Sequence, residues 1–292
     1  MCRPTHVAML LSSAAALRLS PVTMTAIAPT KRLLVIGGNG FVGREVCKYA
    51  VQNGFLVTSV SRRGECPLPG DKWLSQVDWQ SGNALDETTI TSFLASADAV
   101  VHCIGLLFDV ESGLLNLNAF TSFSKSLPDD DSTYDNITRK SAMLVINALS
   151  KRAQLPEFRD LPPTPMAFMS AAEAGWPDVK YGDQVEALAP DWLKRYLAAK
   201  RAVEAELLKS PSIRSVIIRP SFIWNFAKLD ALPLVPIFNI ASFLGVPFVD
   251  KTVRVEDVGK AIVVGLLNEN VQGVQRYMQI ESLAAEIPID EP

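Results

Sequence analysis

The chain has 292 residues, 48% of them hydrophobic, and a formal net charge of -3. That length and composition suit one large α/β domain, or one domain with a small lobe, whose core forms without disulfides or metal. No basic excess points to nucleic acid, and four cysteines without a C-x-x-C pair, with His6 and His102 as the only histidines, argue against a metal site.

Residues 1–30 contain Arg3 and Arg18, no acid, and much Ser, Thr and Ala; the first acid is Glu45. This is the composition of an organelle transit peptide. The apolar run Val7 to Leu17 is too short to span a bilayer, and a secretory signal is the alternative. A domain is therefore expected over 31–280, followed by a tail at 281–292. Leu33 to Ile36 is an apolar run ending in glycines, the pattern of a buried parallel strand. Phe41, Val42, Val46, Ala50 and Val51 then recur at helical spacings until Asn53-Gly54 stops them. Phe55 to Val60 reads as a second strand, and Val77 borders a short third. Asp86 to Ala95 is helical, and Ala99 to Ile104 is a fourth strand. Residues 105–134 are long and irregular. Asn136 to Ala153 is a helix, Met166 to Met169 a fifth strand, Asp191 to Lys209 a helix behind Pro190, and Ser215 to Ile218 a sixth strand. Strand and helix alternate throughout, which predicts a doubly wound parallel α/β sheet of the Rossmann type with a small C-terminal lobe on the substrate side. Within 221–250, the stretch Ala231 to Val249 carries no charge and three prolines. It reads as a lid or as a patch facing a membrane or partner, against ordinary core.

The strongest motif is Gly37-Gly38-Asn39-Gly40-Phe41-Val42-Gly43, placed between a predicted strand and a predicted helix as a dinucleotide fingerprint requires. Gly37 or Gly38 permits the tight turn, Gly40 lets the backbone approach a pyrophosphate, and Gly43 lets the helix pack on the strand. The helix N-terminus offers N–H donors and partial positive charge to phosphate. The second strand ends in Ser61-Arg62-Arg63 instead of the acid that would hold NAD ribose hydroxyls. Guanidinium groups pair well with a 2′-phosphate, so NADP(H) is the preferred cofactor and NAD(H) the alternative. Asn83 and His102 follow strands at the adenosine side, with His102 read as a wall residue.

The spacing Gly37 to Gly43, Tyr196-Leu197-Ala198-Ala199-Lys200, Val216 to Phe222 and Val255 to Ala261 resemble, in order, the motifs of extended and atypical short-chain dehydrogenases. Ser59-Val60-Ser61-Arg62, Val100-Val101-His102, Thr133-Tyr134-Asp135, Lys140-Ser141-Ala142 and Met169-Ser170-Ala171 are similar to one branch. That branch holds the dehydrogenase-like subunit of the mitochondrial coenzyme Q biosynthetic complex and plastid relatives, and more distantly the nucleotide-binding accessory subunit of complex I. The resemblance covers residues 31–266. It implies a Y-x-x-x-K pair in which Lys200 lowers the pKa of Tyr196 for proton exchange with a substrate while also holding the nicotinamide ribose. It implies a hydroxyl just past the fifth strand. Here Ala171 and Ala172 follow Ser170, so Ser170 serves or the role is empty. Asn136 falls near a helix asparagine of the family, and Asp257 is expected to cap or orient a helix. Two functions follow. One is an NADP(H)-dependent oxidoreductase acting on a small or isoprenoid-linked substrate in quinone biosynthesis. The other is a non-catalytic nucleotide-bound scaffold in a multi-protein complex at a membrane surface. A nucleotide-sugar epimerase or dehydratase is a third reading. The resemblance implies a mitochondrial location, on the matrix side, with the plastid as the alternative.

Overall fold

A computed structural model describes residues 31–112, 131–225, 234–243 and 250–287. The expected transit segment, most of the irregular stretch 105–134, both flanks of 234–243 and residues 288–292 lie outside the described residues.

Among the described residues, seven parallel strands form one sheet in the order β3-β2-β1-β4-β5-β6-β9. They are β1 (Arg32–Ile36), β2 (Leu56–Ser61), β3 (Asp78–Ser81), β4 (Ala99–His102), β5 (Thr164–Met169), β6 (Ile213–Ile218) and β9 (Gly273–Gln275). Five of the first six fall where the apolar runs predict them, and β3, which has no apolar run, directly follows Val77. A small parallel pair, β7 (Ile223–Trp224) and β8 (Val253–Arg254), sits apart. The sheet order reverses between β1 and β4, and in such folds a ligand binds in the crevice beyond the strand C-termini at that point.

Successive side chains of a strand point to opposite faces, and both faces of this sheet are covered. Leu33 and Val35 of β1 enter one core with α1 (Gly43–Gln52), α7 (Val255–Leu267) and α8 (Tyr277–Ala284). Leu34 and Ile36 enter the other with α2 (Glu87–Leu94), α3 (Ser141–Arg152) and α5 (Asp191–Lys209). α4 (Gly182–Leu188) and α6 (Leu234–Phe243) lie in connections. The Asn53-Gly54 stop holds: Gly54 takes φ +81° just past α1. The helix predicted from Asn136 begins one residue earlier and differently, as a π-helical stretch over Asp135–Lys140 leading into α3.

Two arginines satisfy helix carbonyls that lack partners within their own helices. Arg152, at the end of α3, donates to Leu94 O and Ala97 O beyond α2 and to Thr164 Oγ1 of β5. Arg214 of β6 donates to Gly265 O (2.8 Å), Leu266 O (2.7 Å), Asn268 O (3.1 Å) and Val271 O, and so fastens the end of α7 and the turn leading to β9. Arg214→Met removes every one of these donors. It is expected to lower unfolding stability by about 2–4 kcal/mol in denaturant titrations.

Candidate nucleotide and catalytic site

The glycine loop joins β1 to α1 at the crevice. Gly37 takes φ +93°, a left-handed conformation open to glycine, and its N–H donates to Val60 O at 2.9 Å. A Cβ there would lie 2.9 Å from Ile104 Cγ1, so the loops after β1 and β4 abut. Gly37 is thus the turn residue that the sequence left shared between Gly37 and Gly38. A Cβ on Gly38 would fall 2.2 Å from Ser59 Oγ. On Gly43 it would fall 2.2 Å from Gly37 O and 2.7 Å from Gly38 Cα, so α1 begins directly on the loop. At Gly40 the sole atom of the described residues within 4 Å is Gly37 O, at 3.2 Å. That position opens away from protein, beside the positive end of α1, where a phosphate fits. Phe41 of the loop carries the Arg44 guanidinium over its ring at 5.5 Å, while Val42 immediately precedes α1.

The turn after β2 is tied to this loop. Ser61 Oγ accepts from Gly64 N–H (3.1 Å), and Ser81 Oγ donates to Arg62 O (3.0 Å). Gly64 takes φ +63° against the backbone of Ser81. Asn39 Nδ2 donates to Glu65 O, which joins the two loops. Arg62 and Arg63 are exposed. Asn83 is exposed past the end of β3; its Oδ1 accepts from Leu85 N–H (3.0 Å) in a turn that enters α2, whose N-cap Asp86 accepts from Thr88 and Thr89.

His102 ends β4 and is fully buried. Its Nε2 lies 2.8 Å from Ser141 Oγ, and that hydroxyl donates to Ile137 O. Nε2 therefore carries the proton. Burial, and next the Lys200 cation, push the imidazole pKa down to about 3. Lys200 is also buried, and its ammonium donates to Met169 O at 2.6 Å. It stands over the rings of Phe168 (5.0 Å) and Tyr196 (5.5 Å), and a Cβ on Gly105 would lie 3.6 Å from it. Burial lowers its pKa to about 8 against the opposing pull of Cys103 and Glu204. Tyr196 and Lys200 thus meet at the C-terminal ends of β4 and β5, as the Y-x-x-x-K spacing implies.

The electrostatics reverse one expectation. Lys200 faces the ring of Tyr196 and gives its proton to a carbonyl. Burial, then Glu173, then Tyr134 raise the Tyr196 pKa instead of lowering it. Tyr134 packs edge-on against Tyr196, with centroids 5.5 Å apart, and its hydroxyl donates to Leu107 O (2.7 Å). Glu173, whose carboxyl is itself raised by burial, was not singled out in the sequence; an acid three residues past Ser170 was the available signal. Ser170 is buried, its N–H donates to Ile218 O, and its Oγ has no hydrogen bond among the described residues. Asn136 is engaged at both ends of its amide, donating to Asp131 O (3.0 Å) and accepting from Lys140 Nζ (2.9 Å). Asp257 does not cap a helix: α7 starts at Val255 with Arg254 at the N-cap, and Asp257 lies in the first turn, where the helix dipole favours a carboxylate. Beyond Tyr134 a cleft of about 310 Å³ is lined by Asp109, Tyr134, Arg139 and Arg195, among others. Its charges are paired, Arg195 with Asp109 (3.3 Å) and Glu111 (3.2 Å), and Arg139 with Asp135.

Strand order and the glycine loop define the class: a doubly wound Rossmann-type α/β fold. Residues 33–121 match the model of the NAD dependent epimerase/dehydratase family. The chain is 27% identical over 217 residues to MIOREX complex component 2 of Saccharomyces cerevisiae, covering 66% of this chain and 73% of that protein. It is 27% identical over 290 residues to an uncharacterized chloroplastic protein of Arabidopsis thaliana, covering 92% and 82%. Among solved structures it is similar to ElxO with NADP bound, with a TM-score of 0.57 and 15% identity, covering 85% of this chain and 96% of that one. It is also similar to the Bordetella bronchiseptica enzyme WbmF in complex with NAD+, with a TM-score of 0.54 and 15% identity, covering 88% and 77%.

The neutral His102 gives the fold an acid limit. The unfolded chain binds a proton below the ordinary value of 6.5, whereas the folded chain does so only near pH 3. Stability that is full above pH 6.5 is therefore expected to fall by about 1.4 kcal/mol per pH unit as acid is added, until the folded form titrates. His102→Gln, measured by denaturant titration across the same range, should flatten that slope.

Proposed function

We propose that the chain binds NADP(H) at the glycine loop. We infer further that it acts as an oxidoreductase on a small or isoprenoid-linked carbonyl or alcohol, as a step of quinone biosynthesis. The observation that carries this reading is the meeting of Tyr196 and Lys200 beside the glycine loop, with Lys200 held between Met169 O and the Tyr196 ring.

The residues fit a dinucleotide. A side chain at Gly40 would intrude on open space, while one at Gly38 would collide with Ser59 of β2 and one at Gly43 with the loop itself. Gly37 to Gly43 would hold the pyrophosphate. Ser61, Arg62 and Arg63 would meet the adenosine end, with Asn83 and His102 along its wall, and Lys200 the nicotinamide ribose. When bound, the nicotinamide supplies or accepts a hydride. The chain's own part is the proton. With its pKa raised, Tyr196 stays a phenol at neutral pH and can donate to an oxygen that gains charge during reduction. Ser170 Oγ, buried and without a hydrogen bond among the described residues, would in this reading donate to that same oxygen. The Lys200 cation offers positive charge next to both.

A second reading is a nucleotide-bound scaffold without turnover. The alanines at 171 and 172 favour it, as does the commitment of Lys200 to a main-chain carbonyl. So does a relative named as the component of a complex. An epimerase or dehydratase draws support from the matched family model, while the lack of a hydroxyl at 171 and 172 weighs against it. The acid-poor residues 1–30 and the chloroplastic relative support an organelle. We favour the mitochondrion, with the plastid as the alternative.

Calorimetric titration with NADPH and NADH is the first test. NADPH should bind the more tightly, and Arg62→Ala with Arg63→Ala should reduce that preference tenfold or more while leaving NADH affinity nearly unchanged. A native preference for NADH would overturn the phosphate reading. Failure to bind either nucleotide would overturn the site.

Tyr196→Phe should lower reductive turnover by about 10²–10⁴-fold with NADPH affinity unchanged. Wild-type turnover should be steady in weak acid and fall as pH rises through about 8, where Lys200 loses its proton. If Tyr196→Phe leaves turnover intact, the oxidoreductase mechanism is wrong. If it leaves assembly of a complex intact while Gly40→Asp abolishes it, the scaffold reading holds.

A further inference from the structure

Among the described side chains of α6 (Leu234–Phe243), the amide turns inward and the apolar ones outward. Its amide residue, Asn239, faces the protein: Oδ1 accepts from Thr252 N–H (3.0 Å) and Thr252 Oγ1 (2.9 Å), and Thr252 is buried. Pro236, Ile240 and Phe243, at i, i+4 and i+7, make a single stripe, and all three are exposed. Ile240 is 58% and Phe243 88% exposed. A helix on a globular protein normally turns such a stripe inward and its amides to water. The helix lies inside the charge-free stretch from Ala231 to Val249, which is bounded by Asp230 and Asp250.

We propose that this stripe seats α6 flat in the interfacial layer of a lipid bilayer. Three considerations select lipid over protein. The first is area: the three side chains offer on the order of 300 Å², against roughly 800 Å² per partner in a stable protein interface. The second is chemistry. Protein interfaces carry about one hydrogen bond per 100–200 Å², whereas Pro236, Ile240 and Phe243 have no polar side-chain atom and the Asn239 amide oxygen is committed to Thr252. Hydrocarbon asks for no hydrogen bond. The third is length: a helix of ten residues is about 15 Å long, half the roughly 30 Å of a bilayer core, so it lies in the plane. No helix among the described residues is long and apolar enough to cross a membrane.

The body is fastened to this helix. Asn239 holds Thr252, the Arg276 guanidinium holds Asp250 at 2.7 Å, and Lys251 pairs with Glu281 of α8 at 2.5 Å. A membrane contact at α6 therefore orients the whole domain. With a net charge of -3 the chain gains nothing from anionic headgroups, so the attraction is apolar and insensitive to salt.

The test is flotation of the full chain with phosphatidylcholine vesicles, at low salt and at 0.5 M salt, with no nucleotide present; it is thus independent of the catalytic reading. The full chain should float equally at both salt concentrations. I240D/F243D should reduce the bound fraction at least tenfold with an unchanged melting temperature, and F243A severalfold. Where the double variant fails to fold, F243A decides. The proposal is overturned if the wild type does not float, or if the variants float as well as the wild type. Binding that appears only with anionic vesicles at low salt overturns it too, as does gel filtration that shows the stripe joining two copies of the chain.

Discussion

The structure depends on one close approach, that of the first residue of α1 to the carbonyl of Gly37. Nothing larger than hydrogen fits at Gly43, so the helix starts on the loop and its positive end points into the crevice between β1 and β4. The conformation of Gly37 and its bond to Val60 fix that loop against β2, and its contact with Ile104 fixes it against the loop after β4. Both cores then follow from strands that are apolar on each face. The place for an anion is thereby set by main chain and by missing side chains.

The opposite side of the crevice is built on a buried cation. An isolated ammonium in such surroundings is costly. Lys200 is sustained by a carbonyl and by the faces of two aromatic rings, with a carboxylate, Glu204, further along the same helix. Glu204 is itself drawn off by the Arg219 guanidinium, which holds it through Nε at 2.9 Å and through Nη2 at 2.5 Å. Burial, and next the cation, keep His102 neutral, while Tyr196 receives its strongest influences from burial and from Glu173. A weakly solvated proton store therefore sits within reach of a phenol, whichever of the two functional readings applies.

Much of this was legible in the residues. The glycine loop, the continuous apolar runs, Val77 and Pro190 marked six strands and the helix Asp191–Lys209 at nearly their observed limits, because the signals are local: a period, a cap, a turn. The remaining strands were not legible. β7, β8 and β9 are two or three residues long and exist through register with their neighbours, which no short sequence pattern carries. The Tyr196 environment escaped for a similar reason. Spacing put Lys200 on the same helix face as Tyr196, but the direction of the pKa shift comes from Glu173 and Tyr134, brought there by β5 and by the π-helical stretch. Asp257 misled because an acid near a helix start serves equally well inside the first turn as at the cap.

The bond from Asn39 to the carbonyl of Glu65 has a consequence for how this scaffold can change. It makes the glycine loop and the turn after β2 a single mechanical unit. A displacement of the turn's main chain at Glu65 is therefore felt at Asn39 in the loop. Asn39 and the 61–65 turn are thus expected to change together, as a cassette, and a graft of the turn alone onto a related scaffold would leave the Glu65 carbonyl without its Asn39 donor.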